Sequence, residues 1–343
     1  MPRTILLRDW LNRLFPRQHS EQEIAIEPAS ADASFRRYFR ITLDNGETRI
    51  VMDAPPEHED CRPFLRVAAL FRDAGVHVPE VFAQDLEQGF LLLSDLGNTT
   101  YLDVLDERTA PVLYRDANAA LVDIQRASRP GALPDYDHAL LARELNLFPD
   151  WYITKHLDIS LTPAQDTALR GVFEMLLANN LAQPQVFVHR DYHSRNLMVI
   201  DSANTCNYPA NPGIIDFQDA VYGPITYDLV SLYRDAYISW DEQQELDFVI
   251  RYWEMARKAG LPVDANFDVF YRDYEWMGAQ RQIKVLGIFA RLCHRDGKDG
   301  YLKDMPRVMA YLRRTCERYG ELRPLARLLD QLEDRQTQSG LTF

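Results

Sequence analysis

In the segment "FVHRDYHSRNLMVI", residues 187–200, His189, Arg190 and Asp191 stand side by side and Asn196 follows Asp191 by five positions. Asp216 comes 25 residues after Asp191, behind the apolar run Gly213-Ile214-Ile215. These residue types suit one chemistry. A carboxylate can accept the proton of an attacking hydroxyl. An amide oxygen and a second carboxylate can hold magnesium (Mg2+), which uses one or two carboxylates and keeps several waters. Phosphoryl transfer asks for little else beyond nearby cations. On this reading Asp191 is the base, and Asn196 and Asp216 are the metal ligands.

Such a set needs rigid supports. "QVFVH", "NLMVI" and "GIIDF" read as short apolar strands, the last two forming a hairpin around the loop "DSANTCNYPANP". The far ends of that hairpin are expected to bring Asn196 and Asp216 to one edge. Upstream, "MPRTILLRDWLNRLF" reads as an amphipathic helix. "SFRRYFRITLDNGETRIVMDAP" reads as two strands about the turn Asp44-Asn45-Gly46, a strong hairpin signal. "FLRVAALFRDAG" gives a helix that stops at Gly75, and "VPEVFAQDLEQGFLLLSDLG" gives two strands about Gln88-Gly89. From Tyr101 onward helical periodicity takes over, across 101–127, 138–156, 163–181, 226–238, 242–259, 267–292 and 303–332. The shift near Gly97 divides the chain into 1–97 and 98–343. The expected class is α+β and bilobal, a small β-rich N-lobe and a large helical C-lobe, with a cleft where they meet.

Composition narrows the partners. The 343 residues carry a net charge of −13, so the clustered cations that nonspecific nucleic-acid binding requires are not expected. No segment approaches the roughly 20 apolar residues of a membrane span. The N-terminal stretch, interrupted by Arg8, Asp9 and Arg13, lacks the apolar core of a secretory signal. Cys61, Cys206, Cys293 and Cys316 are scattered without a CxxC pair, which fits a reducing cytoplasm rather than a zinc or disulfide framework. A cytoplasmic monomer acting on a small molecule is expected.

The order His189-Arg190-Asp191, then Asn196, matches the H-R-D-x-x-x-x-N loop of kinases, and Asp216-Phe217-Gln218 takes the place of D-F-G without its glycine. The chain resembles the aminoglycoside phosphotransferase family of kinase-like small-molecule kinases. Within it, "ASADASFRRYFRI", "VMDAPPE", "HRDYHSRNLM" and "IIDFQDAVYGPITYDLVSL" resemble the bacterial sugar kinases that phosphorylate the anomeric hydroxyl of N-acetylmuramate and N-acetylglucosamine in cell-wall recycling. The likeness spans roughly residues 20–300 by the usual layout of such motifs. It implies a protein-kinase-like fold, ATP and Mg2+, with Asp191 as base and Asn196 and Asp216 as ligands. His189 is implied to orient the loop. His193 has three open roles: touching the γ-phosphate, touching the substrate, or capping the loop. Asp228 is implied to brace the loop backbone.

For the nucleotide, the resemblance points to Ser34, Phe35 and Arg36 at a loop tip, and to Asp95 and Leu96 as a hinge against the adenine edge. Two departures stand out. "SADASFRRYFRI" has no glycine, and Met52 occupies the place of the phosphate-pairing lysine, leaving Arg37 or Arg49 as substitutes. For the acceptor, Arg281 and Lys284 lie three apart on one helical face, and Tyr233, with Tyr271, Tyr274 and Trp276, offers a ring for a sugar. Cations there favour an anionic or neutral amino sugar over a polycationic aminoglycoside. An aminoglycoside or aminoalcohol kinase is the alternative enzyme. A nucleotide-binding regulatory pseudokinase is the alternative from another class.

Overall fold

In the computed structural model, which describes residues 3–16, 24–31, 35–200 and 211–340, the Asn45-Gly46 turn does what its residues suggest. Gly46 takes φ +81°, a left-handed value that costs glycine little. The turn joins two antiparallel strands. The chain forms two compact units, one of Met1–Thr99 with Met198–Asp219 and one of Thr100–Leu197 with Ala220–Phe343.

The first unit contains α1 (Arg3–Leu14), β1 (Ile26–Ala31), β2 (Arg37–Thr42), β3 (Thr48–Asp53), α2 (Cys61–Asp73), β4 (Val81–Asp85) and β5 (Phe90–Ser94). The five strands make one antiparallel sheet in the order β1-β2-β3-β5-β4. The apolar stripe of α1, Leu7, Trp10 and Leu11, packs on Ile41, Val51, Phe90 and Leu92 of the sheet. Gly89, between β4 and β5, sits at φ +71° with a Cβ position only 1.9 Å from the Ala54 carbonyl oxygen, so no larger residue fits that turn. β1 adds a strand not expected from the sequence. Pro28 interrupts its pattern and falls at a register shift against β2, where a sheet edge tolerates proline.

The second unit holds α3 (Tyr101–Val104), α4 (Ala110–Arg126), α5 (His138–Leu145), a π-helical segment (Phe148–His156) and α6 (Pro163–Ala182). After them come β6 (Gln185–Val188) and, at the crossing into the segment 198–219 of the first unit, the short β7 (Leu197–Met198), paired with β8 (Gly213–Ile214); β9 (Val221–Pro224) returns the chain to the second unit. Helices α7 (Tyr227–Tyr233), α8 (Glu242–Lys258), α9 (Phe267–Asp296), α10 (Met305–Arg318) and α11 (Arg323–Gly340) complete the chain. β6 pairs antiparallel with β9, a strand its Gly223-Pro224 ending disguises in the sequence. Three expected long helices are each divided. The new segments begin with Pro111, Pro149, Pro306 or Pro324 in the first turn. Proline lacks the N–H that a continuing helix needs but suits a helix start. None of the described helices is long and apolar enough to cross a membrane.

Candidate active site

The buried strand β6 delivers the chain into the loop His189–Asn196, which is fastened by side chains at its start, middle and end. At the start, the Asp228 carboxylate in the first turn of α7 accepts the backbone N–H of His189 at 2.6 Å and of Arg190 at 2.9 Å. Arg190 takes φ +77°, a conformation uncommon for a residue with a side chain and of the kind found at functional sites. Its guanidinium donates to Glu144 Oε1 at 2.5 Å. In the middle, His189 Nδ1 accepts the Asp191 N–H at 3.2 Å, and the buried Tyr192 hydroxyl donates to the Ala117 carbonyl at 2.9 Å. Farther on, Asp235 accepts both the Ser194 N–H at 2.9 Å and its hydroxyl at 2.6 Å. At the end, the Asn196 amide nitrogen donates to the Asp191 carbonyl at 2.9 Å.

The electrostatics follow from burial and neighbours. Burial alone pushes the Asp191 carboxyl up, but the positive field led by Lys284 outweighs it and holds the group below its usual value. Asp191 therefore stays ionised at neutral pH, as a base must. Burial dominates at Asp228 and raises it to about 7 despite its two N–H donors. Burial also lowers His193, favouring the neutral imidazole. Behind the loop, Glu144 is a hub. Lys284 Nζ lies 3.0 Å from its Oε1, Arg190 shares that oxygen, and the Tyr136 hydroxyl bonds its other one. Burial works against ionised Glu144, but Lys284 and then Arg190 keep it charged and below the usual carboxylate range.

The first unit holds the other expected residues. Asp216 is at φ +62° and its Oδ1 accepts from Gln218 Nε2 at 2.8 Å, with the Arg36 guanidinium 3.8 Å away. The Phe217 ring beside it is anchored against Phe64 and Phe71, at centroid distances of 4.8 and 5.8 Å. Ser34 lies outside the described residues. Phe35 is exposed, stacks on His58 at 4.5 Å, and its N–H meets Glu59 Oε1 at 3.3 Å. The Asp95 carboxylate is committed to Arg40, at 2.5 and 2.9 Å, and to the Gly97 N–H at 3.0 Å. Any hinge role for Asp95 and the half-buried Leu96 therefore falls to their backbone. Met52 is buried in β3. Arg37 is spent on Asp53, and Arg49 on Glu47 at 2.5 Å and the Phe82 ring at 4.2 Å. Both arginines thus have carboxylate partners within the first unit. Arg36 is the arginine that lies beside Asp216.

Several acceptor candidates resolve differently. Tyr233 is a core residue: it is buried, bonds Asn118 through its hydroxyl at 2.6 Å, and packs against Tyr114 and Phe248. Its ring is occupied by packing, which corrects the expectation of a sugar-stacking role. Tyr274, with its hydroxyl on Glu245 at 3.0 Å, and the buried Trp276 are likewise interior. Lys284 supports the Glu144 hub and also donates to the Tyr227 hydroxyl at 2.8 Å. Arg281 is buried on the same helix. Glu144 and Asp235 went unnoticed in the sequence. Each is a charged residue inside a helical apolar pattern, "ALLAREL" and "LVSLYRDA", and buried charges of that kind need partners.

By type, each of the two proposed ligands suits a hard divalent ion: in the second unit Asn196, whose amide nitrogen donates to the loop backbone, carries an amide oxygen, and in the first unit Asp216 carries a carboxylate.

The chain's similarities agree with this chemistry. The description "Phosphotransferase enzyme family" matches residues 25–261. The N-acetylmuramate/N-acetylglucosamine kinase of Neisseria meningitidis serogroup B is 48% identical, covering 100% of both chains. The kinase of the same description from Pseudomonas aeruginosa is 50% identical over 89% of this chain and 88% of its own. Among solved structures, a choline/ethanolamine kinase family protein from Mesorhizobium loti superposes with TM-score 0.62 at 15% identity, over 95% of this chain and 98% of that one. The GDP complex of an aminoglycoside 2'-phosphotransferase IIIa mutant gives TM-score 0.60 at 13% identity, over 89% and 97%. These two establish the kinase-like fold.

Proposed function

Because the chain belongs to the phosphotransferase enzyme family, we propose that it is an ATP-dependent kinase transferring a phosphoryl group to the anomeric hydroxyl of N-acetylmuramate and N-acetylglucosamine. The observation that carries the acceptor is the match, at about half identity and over at least 88% of either chain, to kinases of that description. Kinases of this kind use ATP, typically with a divalent metal, and magnesium is our reading of that metal. The reaction then belongs in the cytoplasm, where ATP is made.

Asp191 accepts the proton of the acceptor hydroxyl as the new P–O bond forms. It is suited to this by its fixed backbone and by the cationic field that keeps it ionised. His189, Asp228 and Asp235 position the loop without touching the reacting atoms. Asn196 and Asp216 would hold the metal, which supplies charge stabilisation for the transferring phosphoryl group when bound. Arg36 brings a second positive charge near Asp216, in place of the lysine that Met52 replaces. Phe35 and Arg36, with Ser34, are our candidates for nucleotide contacts, together with the backbone at Asp95 and Leu96.

The test is incubation with Mg-ATP and a panel of amino sugars, aminoglycosides and aminoalcohols, with the new phosphate located by NMR. Phosphate on the anomeric oxygen of N-acetylmuramate or N-acetylglucosamine is expected. Phosphate found only on kanamycin or choline would overturn the reading.

A further inference from the structure

The sequence offers Arg281 and Lys284 as an equivalent pair of cations, and the fold separates them. Lys284 is already satisfied by Glu144 and Tyr227, at 3.0 and 2.8 Å. Arg281 is only 5% exposed, and its Nε is buried without a hydrogen-bond partner. Among the described residues its guanidinium forms no ion pair. A guanidinium carries five N–H donors in a planar fork and is always charged. Burying it without an acceptor is costly, so the site is built for an anion that arrives from outside the chain.

Its surroundings say which anion. Arg281 lies within electrostatic range of Asp191, His193, Asp228 and Tyr237, around the loop that holds the proposed base. His193 Nδ1 is also buried without a partner. The Tyr237 ring meets His193 at 5.5 Å and Phe289 at 6.5 Å, and carries the Arg195 guanidinium 3.6 Å from its centroid. An unmatched buried guanidinium suits a sugar with one carboxylate, since its fork binds carboxylates with two parallel hydrogen bonds.

The geometry points to Arg281 as the residue that binds the carboxylate of an acidic amino sugar and so sets the preference for an acidic over a neutral acceptor. This rests on the amino-sugar kinase reading above. Lys284 is instead a positioning residue that holds Glu144 and, through it, Arg190.

The experiment compares kcat/KM of the unmodified protein, Arg281→Gln and Arg281→Lys on N-acetylmuramate, its methyl ester and N-acetylglucosamine. Loss of one charge-assisted contact is worth about 10- to 100-fold. The unmodified protein is expected to favour the acid over its ester by about that factor. Arg281→Gln should lower turnover of the acid to the level of the ester, mainly through KM, while turnover of N-acetylglucosamine falls far less. Arg281→Lys should restore part of the loss on the acid. Measurable turnover of N-acetylglucosamine by each variant confirms that it is folded, and the acid-to-ester comparison needs no variant at all. Equal losses on all three sugars would assign Arg281 to the transferring phosphate and overturn the proposal, as would an unmodified protein indifferent to esterification. Turnover of none of the three by the unmodified protein would overturn the amino-sugar reading itself.

Discussion

At the scale of single residues, Asp191 on the loop and Asp228, which accepts the N–H groups of the two residues before it, behave oppositely. Cations hold Asp191 ionised, whereas burial favours the protonated form of Asp228 up to about pH 7. Replacing Asp191 by Asn keeps the shape and removes the base. The expected result is a fall in kcat of about 10²- to 10⁴-fold with nucleotide affinity little changed, read by a coupled ADP assay and by calorimetry. A kcat within a few-fold of the unmodified protein would remove Asp191 from the mechanism. Asp228 makes a stability prediction. Its folded value lies above the ordinary 3.8, so the folded state binds the extra proton between those limits and loses that contribution as pH rises through about 7. The stability difference between the unmodified protein and Asp228→Asn should therefore shrink as pH is raised from about 4 to about 7. Thermal melts across that range check it, and a difference that grows with pH would contradict it.

At the scale of elements, α9 is the helix that the second unit is assembled around, buried along most of its length from Phe270 to Ala290. Gly287 marks where it meets the entrance of the π-helical segment: a Cβ there would lie 2.4 Å from the Leu147 carbonyl carbon. Because the obstacle is backbone, it cannot swing aside. Gly287→Ala should destabilise the protein by about 1–3 kcal/mol, seen as a lowered midpoint in chemical denaturation; an unchanged midpoint would mean that Leu147 yields freely. The elements also show what the sequence made readable. Strands flanking the Asn-Gly turn, helix α2 and the loop His189–Asn196 were legible because each rests on local rules: turn chemistry, apolar period and motif spacing. The divisions at Pro111 and Pro149 were legible in principle, but apolar periodicity runs through both and hid them. The support of the loop was legible only in part. Asp228 alone was anticipated, through the resemblance; Glu144 lies more than 40 residues before the loop and Asp235 about 40 after it, and nothing in their local strings tells that Glu144 faces Arg190 and Lys284. The same holds for Tyr233, whose burial depends on Tyr114 and Phe248 coming from other helices.

For the molecule as a whole, the proposed activity couples a nucleotide and a metal to stability. Mg-ATP at about 100 times its Kd should add about 2.7 kcal/mol, raising the thermal midpoint, and a chelator should abolish both the shift and the turnover until magnesium is returned. Turnover that persists in excess chelator would exclude the metal role given to Asn196 and Asp216. A net charge of −13 repels anionic substrates at long range, which makes a local cluster of cations beside Asp191 the more necessary. The fastening of the loop has a final consequence. Arg190 closes on the interior Glu144, while Asp228 and Asp235 hold the segment on either side of Asp191. A loop gripped by side chains of its own unit takes this shape without any group added after synthesis.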